Sequence, residues 1–352
     1  MSHDMLLALA SQRHRVPIAA DLVLHRHADA DRIILDGERL GEVVAEAAHV
    51  FHTPLAFPLM DLRLEKAELL GHFGVATDDI EKFHFVVPPT LEKRRNYARF
   101  VQHVAPSERV AANMGAVHSI RSRTKLVPVG MCIGPYSLTS KLMADPITPT
   151  YLAGSGVTGE EEPDVALLEA CMDISLTCVM REVELAIAAG AKAVFIAEPA
   201  ANQIYFSPLQ LADGSSIFER CVLAPNRRIA ALLADRGVDL IFHCCGEITD
   251  GMLDGFCSLK PAMLSLGSSR KLWEVAKRVP KDIVLYGNLA SKMFYSDQSM
   301  PITRVAEDTA RLAAKMAATG HPFILGTECD TLHVPEYAAT IEAKVDCMLT
   351  AA

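Results

Sequence analysis

His243, Cys245 and Cys329 are the side chains whose types and spacing point most directly to chemistry. An apolar stretch from Val238 to Phe242 ends abruptly at His243, Cys244, Cys245 and Gly246. It is short and bounded by Gly237 and Gly246, which predicts a strand covered on both faces. Alternate residues of a strand share a face, so His243 and Cys245 point one way and Cys244 the other. An imidazole and a soft thiolate converging at a strand end suit zinc. Two donors do not complete such a site. Cys329, which ends a second apolar run beginning at Pro322, is the best candidate for the third. Two other readings of the pair stay open: a packing role, and a hydrolase in which His243 activates Cys245 as nucleophile. No orienting third residue or oxyanion motif accompanies the latter.

Eight strands are needed to position these residues. The pattern predicts them at 16–24, 55–60, 125–134, 193–197, 238–246, 263–266, 283–288 and 322–329. Helical periodicity lies between or beside them, at about 4–13, 38–50, 106–123, 137–143, 164–189, 217–236, 300–319 and 336–349. Residues 62–104 form a charged, amphipathic excursion broken at Pro88 and Pro89. Two prolines, three glycines and Glu160 to Glu162 make 147–163 a surface loop by composition. Strands alternating with helices over 352 residues predict a single (β/α)8 barrel domain spanning 1–352, with an elaborated N-terminal helical region.

On that scheme Asp61, Glu198, His243, Cys245, Asn288 and Cys329 all fall at or just past strand C-termini, the barrel face that carries active sites. Glu198 is a candidate fourth ligand, a base for an incoming thiol, or a salt-bridged loop residue. Asp61 is a candidate for binding substrate or loop backbone, and Asn288, after Gly287, for a turn beside the site. Gly134, before Pro135, marks a turn that lets backbone approach a ligand. Cys171 and Cys178 share one face of the long helix and belong to the core; Cys132, Cys221, Cys257 and Cys347 have no partner pattern.

A net charge of −9 argues against nucleic acid or an anionic membrane as partner. There is no apolar run of about 18 residues that would span a bilayer. Nine cysteines without small-domain spacing read as reduced thiols of a cytoplasmic protein.

Arg15-Val16-Pro17, Gly130 to Pro135 with Ser137-Leu138, Glu198 to Ala201, His243 to Gly246, Gly287-Asn288 and Gly326 to Cys329 give the chain a family resemblance. It resembles the uroporphyrinogen decarboxylase superfamily, and more closely its zinc-dependent, corrinoid-linked methyltransferases of the methylcobamide:coenzyme M methyltransferase type. The resemblance implies a barrel in which His243, Cys245 and Cys329 hold zinc, and it places the Asn288 motif near the site. It also implies transfer of a methyl group between methylcobalamin and a thiol or other small molecule. O-demethylation of a substrate toward a corrinoid protein is the alternative direction. The decarboxylases carry an arginine-rich segment after the first strand; Ala20 to His27 does not match it, which argues against porphyrinogen decarboxylation. Glu198 stands where the relatives have aspartate. No D-x-H-x-x-G corrinoid segment is present, so the corrinoid is expected free or on a partner protein. A non-catalytic barrel that carries a corrinoid is the remaining alternative.

Overall fold

The computed structural model describes residues 3–351. Eight parallel strands form its centre: β1 (Arg15–Val16), β2 (Leu55–Ala56), β3 (Val127–Ile133), β4 (Ala193–Ala197), β5 (Asp239–Cys244), β6 (Met263–Leu266), β7 (Val284–Leu289) and β8 (Phe323–Thr327). Each pairs with its chain neighbour from β2 through β8, and β1 pairs with β8. The barrel is nearly closed, with its seam between the two short strands β1 and β2. This is the (β/α)8 architecture the alternating pattern predicts.

Two layers of apolar side chains hold it. Inside the barrel lie Ile18, Leu55, Phe57, Val129, Phe195, Ile241, Met263, Tyr286 and Ile324. The larger outer layer packs the opposite strand faces against the helices. The helix Pro163–Ala189 shows how the sequence achieves this: Leu168, Cys171, Ile174, Cys178 and Val179 line its buried side. Cys171 and Cys178 are thus core residues, as their seven-residue spacing requires. Among the described residues no helix is long and apolar enough to cross a membrane.

Three expectations need correction. The strand expected at 55–60 is only Leu55–Ala56. The run from Val16 to Leu24 is not one strand: β1 stops at Val16, and Ala20–Leu24 is a helical turn. A continuous apolar run has no periodicity that separates a buried strand from a buried helix. Residues 147–163 are not all loop, because Ile147–Gly154 is a helix. The Asp145 carboxylate accepts from the N–H groups of Ile147 and Thr148. Pro149 then falls in the first turn, where a missing N–H costs nothing. Loop structure is confined to 155–162, where Glu161 accepts from the N–H and hydroxyl of Thr158.

Candidate metal centre at the barrel rim

Strand register brings the central histidine to its place. In the parallel ladder His243 pairs with Ala197 on β4 and with Ser265 on β6. The imidazole is buried, and its Nδ1 lies 2.8 Å from the Ser265 hydroxyl. Nε2 is buried and has no hydrogen-bond partner. A buried nitrogen without a partner is costly, and a proton donor or a metal ion would satisfy it. Cys245 and Cys329 stand close to the imidazole. One donor atom each from His243, Cys245 and Cys329 lie within 4.8 Å of one another, the single such group among the described residues.

Cys244, one residue away, faces outward. It is fully buried and its thiol donates to the Ala201 carbonyl at 3.4 Å. Burial pushes its pKa up. Cys245 is the opposite case. The adjoining Cys329 thiol holds Cys245 far below the ordinary thiol range against its own burial, and His243 and Lys292 act in the same direction. Cys329 is correspondingly raised, first by Cys245 and then by burial. Of the two sulfurs, Cys245 is thus the one favoured as thiolate. Burial opposes the Lys292 ammonium, but the sulfurs of Cys245 and Cys329 and the carboxylate of Glu328 outweigh it and raise its pKa.

The rim loops are tied together beneath this cluster. Asn288 Nδ2 donates to the carbonyls of Gly267 and Arg270, each at 2.7 Å. Glu328 accepts from Ser268 N–H at 2.8 Å. These three bonds fix the loop after β6 behind Cys245. The passage is so tight that a Cβ on Gly267 would meet the Cys245 carbonyl oxygen at 2.4 Å. Asn288 thus supports the site through backbone contacts.

The structure does not bring Glu198 or Asp61 into the donor group. Glu198 is wholly buried, and its carboxylate accepts from Tyr136 N–H at 2.8 Å and from the Ser137 N–H and hydroxyl, each at 3.2 Å. It caps the helix Pro135–Leu142. Burial raises its pKa to about 7, with those donors pulling the other way. The close approach allowed by Gly134 is to this carboxyl group, since a Cβ there would lie 2.2 Å from the Glu198 carboxyl carbon. Asp61 is paired with Arg63 at 2.9 Å and stands 4.0 Å from Arg109. Asp330 follows Cys329 and is pushed up to about 8 by burial and then by Asp21, against N–H groups of Thr331 and Met60.

Ser265, Lys292, Glu328 and Met60 are the site residues that sequence reasoning missed. Ser265 had a usable signal, as the polar member of Met263-Leu264-Ser265-Leu266 on an otherwise apolar strand. Lys292 and Met60 had none, because only folding brings them to the cysteines.

An eight-stranded parallel barrel with a histidine and two cysteines converging at its C-terminal rim is the class that fold and site define. The chain belongs to the uroporphyrinogen decarboxylase (URO-D) family, whose model matches residues 70–348. Its fold is similar to that of a methyltransferase from Methanosarcina mazei, with a TM-score of 0.64 at 15% identity. That alignment covers 95% of this chain and 91% of the other. No curated protein sequence matches the chain.

Proposed function

We propose that this protein is a zinc-dependent methyltransferase that moves a methyl group between a corrinoid and a thiol or another small acceptor or donor. The observation that carries the reading is the convergence of His243 Nε2, buried and unpartnered, with two cysteine sulfurs within 4.8 Å. Two thiolates and an imidazole are the donor chemistry zinc prefers, and three protein donors leave a position for substrate. Zinc bound there would hold a substrate sulfur as thiolate near neutral pH, displacing the ordinary thiol pKa of ~8.5.

The chain's own residues supply the rest. Ser265 holds the ring of His243 so that Nε2 faces the cysteines. Lys292 offsets the negative charge gathered on the two sulfurs. Asn288 and Glu328 fix the loop behind Cys245. Glu198 keeps the loop after β4 and the helix after β3 in register beside the rim. We assign Asp61, on the β2 side, to substrate contact. The methyltransferase named among the structural neighbours supports this reading, as does family membership. The corrinoid is read as arriving free or on a partner protein. Nine free cysteines fit a reducing compartment such as the cytoplasm.

The test is zinc content followed by demethylation of methylcobalamin against a panel of thiols, with tetrahydrofolate as a non-thiol control. About one zinc per chain and thiol-dependent loss of the methyl-cobalt spectrum are expected. A purified protein that takes up no zinc would refute the proposal.

A further inference from the structure

Beside the three donors stands a fourth sulfur. Met60 follows β2, and its Sδ lies 4.0 Å from Cys329 Sγ. Zinc–sulfur bonds of ~2.3 Å at tetrahedral angles put two ligating sulfurs ~3.8 Å apart. The observed separation is therefore close to a ligand-to-ligand edge. Met60 is partly buried and packs against the interior cluster of the barrel, so its thioether is turned inward. The contact with Cys329 joins the end of β2 to the end of β8 across β1, at the seam where the ladder is interrupted.

The chemistry of a thioether fits such a place. It is soft, like the two thiolates, but carries no charge and binds weakly. A fourth anionic donor would close the site and add negative charge, whereas a thioether can occupy the position and then leave it. We infer that Met60 is a displaceable fourth donor, occupying in the resting protein the coordination position that the substrate sulfur takes. This rests on the zinc reading above and adds an element to it: an arriving thiol exchanges with a protein side chain rather than with water.

The probe is zinc itself, in full-length protein labelled with selenomethionine. X-ray absorption at the zinc edge then reads selenium as a heavy neighbour, and Met60 is the methionine placed to supply it. We expect one selenium in the first coordination sphere of the zinc-loaded protein. It should be lost on adding excess 2-mercaptoethanol, and absent in labelled Met60→Leu at unchanged zinc stoichiometry. Zinc bound by two sulfurs, one nitrogen and an oxygen, with no selenium in the labelled wild-type protein, would overturn the inference while leaving the zinc reading intact. Failure to retain zinc at all would sink both, and metal analysis distinguishes the two cases. The labelled wild-type measurement does not depend on how Met60→Leu folds.

Discussion

The hydroxyl of Ser265 lies 2.8 Å from Nδ1 of His243, and both side chains are buried. With Nδ1 satisfied there, the ring turns its other nitrogen toward Cys245 and Cys329. A hydroxyl that accepts from Nδ1–H fixes the tautomer that leaves the Nε2 lone pair free. Ser265→Ala should therefore weaken zinc affinity by roughly 10- to 100-fold, as loss of such a supporting contact does at metal sites. Ser265→Thr, which keeps the hydroxyl, should recover part of it. Competition with a zinc chelator measures both, and equal affinity in all three proteins would remove Ser265 from the site.

The adjacent cysteines should part company. Cys245→Ser replaces a thiolate by a hydroxyl that stays protonated, so zinc content should fall to near zero, as in His243→Ala and Cys329→Ala. Cys244→Ser keeps a donor for the Ala201 carbonyl and lies outside the cluster. It should retain about one zinc and lose only ~1 kcal/mol of stability. Metal content by mass spectrometry, beside thermal unfolding, checks all four. Zinc lost from Cys244→Ser but kept in Cys245→Ser would reverse the ligand assignment.

Glu65 gives the protein a pH dependence. One carboxyl oxygen accepts from Ile133 N–H at 2.9 Å, while the other is buried without a partner. Burial raises its pKa from 4.5 to about 7. A raised carboxyl pKa stabilises the fold below the unfolded value, and that contribution is lost as pH rises from 4.5 through about 7. Glu65→Gln, permanently neutral, should match the wild type near pH 4.5 and exceed it near pH 8, by up to ~3 kcal/mol. Denaturant unfolding at the two pH values decides it, and a difference that does not change with pH would contradict the assignment.

Arg181 and Glu68 form an ion pair of 2.6 Å with both side chains 2% exposed. Arg181 also donates to the Val104 carbonyl at 2.7 Å, so it joins the helix Pro163–Ala189 to the N-terminal excursion. Arg181→Met leaves the Glu68 charge buried with its main partner gone, at an expected cost of ~3–5 kcal/mol. The double variant with Glu68→Gln should recover much of that loss. No recovery would mean that the arginine acts through its other contacts, the Glu182 carboxylate and the Val104 carbonyl, rather than through Glu68.

Local pattern sufficed where a segment's surroundings are the same all along it. β4 and β6, apolar and covered on both sides, begin and end where their runs do, at Ala193–Ala197 and Met263–Leu266. The opposite directions of Cys244 and Cys245 were equally legible from strand alternation, although β5 ends at Cys244 and Cys245 stands just past it. The helical turn Ala20–Leu24 was not, since a buried run looks alike as helix or strand and packing chooses between them. The donor trio could be named from strand-end cysteines and a histidine. Its completion belongs to tertiary structure alone: Ser265 reaches His243 through the β5–β6 register, and Met60 reaches Cys329 across the β1–β2 seam. The direction of the Glu198 carboxyl was likewise decided by folding. At a strand end next to the site, it turned to the N–H groups of Tyr136 and Ser137, because a wholly buried carboxyl must find donors and the start of the neighbouring helix supplies them.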